Sequence, residues 1–222
     1  MTDRTAGSIR ARVRAEMLEE IKATARKQLA EGGANLSLRA VARDLGMVSS
    51  AIYRYFASRD ELLTALILDA YNSMGEAAEK AGVSVRARDD YFGRWLAVAR
   101  ALRGWAVAHP HEYALIYGSP VPGYAAPQDT VEPSTRPMLV LGTILAEAHA
   151  AGRLAEVNLL RPEPTLRPEL ARLSDTVAPD ITEAMMARAL IAWTELFGAI
   201  SFELFGRYNN TITDLDTWFD HQ

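Results

Sequence analysis

Apolar residues recur along the first third of the chain at helical spacing, and polar or glycine positions break them into separate runs. Val13, Met17, Ile21, Ala25 and Leu29 advance by four and predict one amphipathic helix from Ile9 to about Glu31, stopped by Gly32-Gly33. Residues before about Ser8 lack this periodicity and read as a mobile arm. Leu38, Val41, Ala42 and Leu45 predict a short second helix. The Ser37 hydroxyl is placed to cap its start, and Gly46 supplies the left-handed residue that ends it. Ile52 and Phe56, four apart, give a third short helix its buried face, with Ser49 or Ser50 as cap. Ser50, Ala51, Tyr53 and Arg54 are left on its other faces. After a break at Ala57, Ser58-Arg59-Asp60-Glu61 is a capping box. It opens a long helix through Leu62, Leu63, Leu66, Ile67, Ala70, Tyr71 and Met74 to about Gly82.

The remainder is also helical in pattern, so the fold class is all-α. Phe92, Trp95, Leu96, Ala99, Leu102 and Trp105 mark a helix over 89–108, which His109-Pro110 stops. A short piece over 112–117 leads into GSPVPGYAAPQDTVEPSTRP, where proline and glycine predict irregular chain. Further helices follow over 137–152 and 169–177, separated by the proline-rich segment 160–168. The final long helix, about 182–205, is capped by Asp180 or Thr182 and is apolar on nearly every side. Such a helix must be covered on nearly every side, either by the chain's own core or, more economically, by a second subunit. A last short helix over 215–219 could join that interface.

Two short helices joined by a glycine turn, the second carrying Ser, Tyr and Arg outward, form the pattern of a DNA-binding helix-turn-helix. The runs Leu38-Arg39-Ala40-Val41-Ala42, Ala51-Ile52-Tyr53-Arg54-Tyr55-Phe56 and Ser58-Arg59-Asp60-Glu61-Leu62-Leu63, with the Gly46 turn, resemble the TetR family of bacterial repressors. Chemistry assigns roles within the motif. The Arg54 guanidinium suits the paired acceptors of guanine, Ser49, Ser50 and Ala51 stand at the end that enters the major groove, and Ala51 could pack on a thymine methyl. Ser37, Arg39, Tyr53, Tyr55 and Arg59 suit phosphate, Tyr55 alternatively being partly buried against the first helix. Arg4, Arg10, Arg12 and Arg14 make the beginning of the chain basic, either for phosphate or minor-groove contact or as a solvated tail.

Charge sharpens the division. The 222 residues carry a formal net charge of −4. Residues 1–60 hold 11 Lys and Arg against 7 Asp and Glu, while the rest hold 13 against 21. A basic head on an acidic body fits a DNA-reading domain over 1–60 and a ligand-binding and dimerisation domain over 61–222. There is no cysteine, no signal-peptide pattern at the start, and no window that reads as a membrane span, so a cytoplasmic protein without membrane contact is expected.

The stretch from Trp105 to Tyr124 resembles the C-terminal domain type of TetR-like regulators marked by Trp, His and Gly (WHG), here Trp105, His109 and Gly118. The resemblance implies a homodimer on a double-stranded, palindromic DNA operator, released by a small-molecule effector. Trp95, Trp105, His109, Tyr113, Tyr117 and His149 are the candidates for an apolar or amphipathic effector pocket, although any one of them could be core. Trp193, Phe197, Ile200 and Leu204 form the stripe expected at the dimer interface. No phosphate loop, dinucleotide fingerprint, nucleophile elbow or HExxH pattern is present, so an enzyme is not expected. Nor is a cofactor or a metal, His109 and His111 being weak as ligands at a helix break. The rival reading is a small-molecule-binding coregulator on the same fold that does not bind DNA.

Overall fold

The advance by four from Val13 to Leu29 forms α1 (Thr2–Gly32) in the computed structural model, which describes residues 2–32, 36–154 and 161–221. Its backbone is helical from Thr2, so the arm expected before Ser8 is part of α1, while the Arg4 side chain lies outside the described residues. So do Gly33 and Leu160. The next elements are α2 (Leu38–Asp44), α3 (Ser49–Ile52), α4 (Arg59–Ser84), α5 (Tyr91–Ala108) and α6 (Pro110–Tyr117). A 3-10 turn (Gln128–Thr130) leads to α7 (Val131–Ala150), α8 (Arg167–Val177), α9 (Glu183–Leu204) and α10 (Leu215–His221). No strand occurs among the described residues.

Helix α7 begins six residues earlier than the proline content predicts. Pro133 falls in its first turn, where the missing N–H has no intrahelical duty, and only Pro137 interrupts the ladder.

The chain divides into two compact units that do not follow a cut after residue 60. The head comprises 1–70 together with 111–130, and the body comprises 71–110 with 131–222. In the head, Ile21, Ala25 and Leu29 of α1 meet Leu38, Val41 and Ala42 of α2, Ile52 and Phe56 around α3, and Leu62, Leu63 and Leu66 of α4. Burying each such side chain contributes about 1.5–3 kcal/mol against the entropy of ordering the chain. Leu115, Val121 and Tyr124 pack on the same core from the later segment, and the Tyr124 hydroxyl lies 2.9 Å from Thr64 Oγ1. Arg26 and Lys22 both reach Asp69, at 2.6 and 2.8 Å. Burial alone would lower the Lys22 ammonium, yet hydrogen bonds to Asp69 and Glu19 leave it raised.

In the body, α5 packs on α7 and α9, and α8 packs on α7 and α9. Gly142 of α7 lies so close to α8 that a Cβ there would stand 2.2 Å from the Val177 carbonyl oxygen. Buried Ser174 donates toward the carbonyls of Ala178 and Ile181, tying the α8–α9 turn, and the Thr182 hydroxyl caps α9 by accepting from Met185 N. Arg103 of α5 forks onto Glu203 of α9 at 2.7 and 2.8 Å and reaches Asp216 of α10, while Arg100 forks onto Asp220. Arg136 of α7 grips Glu79 and Asn72 of α4.

By length and composition alone α9 is apolar enough to cross a membrane, with a mean hydropathy of 1.2 over eighteen residues. It is instead a packed helix of the body, its Glu203 ion-paired with Arg103.

Candidate nucleic-acid interface

The geometry of the motif follows from two anchors and one glycine. Gly46 takes φ +67°, which turns the chain after α2 so that Met47 N can bond the Ala42 carbonyl at 2.8 Å. Ile52 is wholly buried and Phe56 nearly so, which fixes which sides of the α3 region remain outside. Ser49, Ser50, Tyr53 and Arg54 are exposed, and Ala51 is half-buried.

Several local expectations shift. Ser37 does occupy the cap position of α2, but its hydroxyl makes no cap bond, and it stays exposed with Arg39. The cap of α3 is Val48, not Ser49 or Ser50, because Val48 is the last residue in extended conformation (φ −65°, ψ 138°) and its carbonyl accepts from Ala51 N. Arg54 stands beyond the helix rather than on it. The chain after Ile52 tightens, with Arg54 N bonding the Ala51 carbonyl three residues back at 3.2 Å. Ser58 and Glu61 form the capping box in modified form: Glu61 N bonds Ser58 Oγ, while the Glu61 carboxylate reaches back to Ala57 N.

Two arginines hold the motif together. The Arg14 guanidinium lies over the Tyr55 ring, 5.2 Å from its centre, and donates to the Arg54 carbonyl at 3.2 Å. Tyr55 also packs on the head core, so it is half-buried rather than fully presented. Arg59 donates from Nε to the Leu36 carbonyl at 3.1 Å and lies 3.5 Å from Asp60. Sequence reasoning missed the Arg14 contact because it joins residues forty apart.

Comparison with known proteins gives this geometry its setting. The chain matches the family model for bacterial regulatory proteins of the tetR family over residues 21–66. It also matches a tetracycline repressor-like C-terminal domain over 95–222. The HTH-type transcriptional regulators Rv1816 of Mycobacterium tuberculosis and Mb1846 of Mycobacterium bovis are each 41% identical over 204 residues, covering 89% of this chain and 84% of theirs. The chain belongs to the TetR family. It is a DNA-binding transcriptional regulator.

Among solved structures, the regulatory protein SCO4313 is similar at 35% identity with a TM-score of 0.75, covering 95% of both chains. The TetR family regulator PfmR of Thermus thermophilus shares the fold at 18% identity and a TM-score of 0.59, over 90% of this chain and 93% of that one.

The body residues named from the sequence do not line one common cavity among the described residues. Of the six, Trp95 lines a small apolar cavity of the body, about 30 Å³, with Met138, Leu141, Leu145, Met186 and Trp193, and none of the six lines a second cavity of about 620 Å³ between α8 and α9. Trp105 is buried, donates from its indole to Ser73 Oγ and stacks on His109, whose Nδ1 lies 2.9 Å from the Trp105 carbonyl. Tyr113 is a fully buried residue of the head, with Tyr117 stacked on it at 5.1 Å. His149 lies in the last turn of α7, outside the cavity lining.

The stripe expected at a dimer interface, Trp193, Phe197, Ile200 and Leu204, lies on the more buried side of α9 within this chain. Phe197 and Ile200 are buried within the chain, Trp193 stands against Phe197 and lines the cavity, and Leu204 is half-buried. The outward side of α9 is carried by Ile191 (59% exposed), Phe202 (52%) and Phe205 (45%), with Gly198 between them. Both sides of α9 are apolar, so periodicity alone could not say which one the chain covers itself.

Proposed function

We propose that the protein is a cytoplasmic, homodimeric repressor that binds a palindromic operator and leaves it when a small apolar effector enters the body. The observation that carries this reading is the exposed, uncharged-to-basic surface from Val48 to Arg54, held rigid by buried Ile52 and Phe56 and by the Arg14 contact. Ser37, Arg39, Tyr53 and, in part, Arg59 serve the phosphates around it. Arg54, beyond the helix end, reaches a base edge or a neighbouring phosphate by side-chain length.

The outward side of α9 supports pairing of two copies. Ile191, Gly198, Phe202 and Phe205 follow spacings of seven, four and three, and a Cβ on Gly198 would meet nothing within 4 Å. A twofold pairing through this side would bury each residue twice. The cavity supports an apolar effector class, because its walls are two tryptophans and aliphatic side chains. At about 30 Å³ it holds roughly one water, so an effector seated there would have to widen it, whereas a larger, mainly apolar cavity of about 620 Å³ between Leu166, Leu170, Leu173, Leu190 and Ile191 offers room without widening. The stacked Trp105–His109 pair and Gly118, where a Cβ would stand 2.2 Å from the Ala114 carbonyl oxygen, support the Trp/His/Gly subtype as a structural signature.

Selection of duplexes from a random pool by the purified protein tests the reading. A palindrome with half-sites roughly one helical turn or more apart supports it. Recovery of nothing above background overturns it in favour of the coregulator.

A further inference from the structure

The surface that leads into and along α3 reads Val48-Ser49-Ser50-Ala51, and it contains no side chain able to form a two-pronged pair with a base. Guanine is read by Arg or Lys and adenine by Asn or Gln, whereas a serine hydroxyl both donates and accepts and so discriminates poorly. Yet the most exposed large apolar side chain of the head is here. Val48 is 71% exposed, more than Ile9, Val13 or Tyr53. A branched apolar side chain left in water at the start of a recognition segment has one complementary feature in the major groove, the 5-methyl group of thymine.

We infer that Val48 is a specificity-determining residue that reads a thymine methyl in each half-site, with half-buried Ala51 behind it. The backbone supports a fixed contact. The Val48 carbonyl is tied to Ala51 N at 2.8 Å and the preceding turn is locked at Gly46, so Val48 is presented by a rigid segment. Val48 is also β-branched, and its narrow choice of rotamers makes the methyl contact depend little on side-chain ordering. Sequence discrimination in this segment is therefore apolar, while Arg54, set beyond the helix, adds to it from the side. The inference rests on the DNA-binding reading.

The test uses the full-length protein and the operator selected from the random pool. Each thymine is replaced in turn by deoxyuridine, which removes only the methyl group. For the native protein, one symmetric thymine per half-site is expected to matter, with a loss of about fourfold per half-site and about fifteenfold for both, the scale of burying one methyl. For Val48→Ala, the same replacement is expected to change affinity less than twofold, with binding of the deoxyuridine operator equal to that of the native protein. Deoxyuridine tolerated at every position by the native protein would overturn the inference. So would an equal loss in native and Val48→Ala proteins. Both outcomes leave operator binding intact and are distinct from failure to select any operator, which overturns the DNA-binding reading itself.

Discussion

The two helices that carry the proposed contacts, α3 and α9, are opposites in length and in the source of their order. α3 has four residues and cannot hold itself; Ile52, Phe56 and the Arg14 contact fix it from the head core. α9 has twenty-two residues and is apolar on two sides, one spent on the core of its own chain and one left outside. In α3 the working surface is whatever the anchors leave out, and two anchors four apart decide it. In α9 the working surface is whatever the neighbouring helices fail to cover, and that depends on packing across more than a hundred residues. A short element fastened by anchors is therefore readable from its sequence, whereas a long element with two apolar sides is not.

Substitutions on the two sides of α9 break this comparison most sharply. Phe202→Asp puts two unpaired carboxylates into the proposed twofold interface, and the expected outcome is a monomer with operator affinity reduced more than about a hundredfold. Sedimentation and operator titration read both quantities, and a dimer that persists in this variant removes the outward side from the interface. Phe197→Ala, on the inward side, is expected to cost about 3–5 kcal/mol of stability by leaving a cavity. In that variant the dimer should persist, as denaturation alongside sedimentation will show.

A smaller effect tests the fastening of α3. Arg14→Ala removes a cation–π contact and a charge-assisted hydrogen bond and is expected to weaken all operator sequences alike by about 1–2 kcal/mol. Loss confined to one base position would instead make Arg14 a base reader. The smallest effect is the response to acid. A hydrogen bond from Arg136 holds Glu79 below its usual range, and one from Arg100 does the same for Asp220. A lowered folded value means that the stabilisation is complete above the unfolded carboxylate value and is lost as pH falls through the folded one. Stability should decline below about pH 4, and this decline should flatten in Glu79→Gln with Asp220→Asn. A decline of unchanged steepness would assign it to other carboxylates.

Much of the head was legible because its signals are local. The Gly46 turn, the Ser58–Glu61 box and the pair Ile52 and Phe56 each act within four residues of themselves. The body was legible as helices but not as a site. Periodicity placed Trp95, Trp105, Tyr113 and Trp193 on helices without saying which would meet, and the structure buries Tyr113 in the head unit and sets Trp193 in a cavity wall of the body. Proline content misjudged the start of α7, since the rule against proline applies to helix interiors and Pro133 is in a first turn. The Arg14 contact with Tyr55 and Arg54 and the role of Val48 escaped notice for different reasons. One acts across forty residues, and the other belongs to an ordinary valine whose exposure only the fold reveals.

The head is also closed by residues that arrive late. Leu115, Val121 and Tyr124 complete its core, yet they follow α4 and α5 in the chain. During synthesis the DNA-reading unit is therefore unfinished when its own helix-turn-helix has emerged, and it gains its last core contacts only after the first helices of the body are made. A nascent or prematurely terminated chain ending near residue 60 would lack those contacts and bind operator poorly.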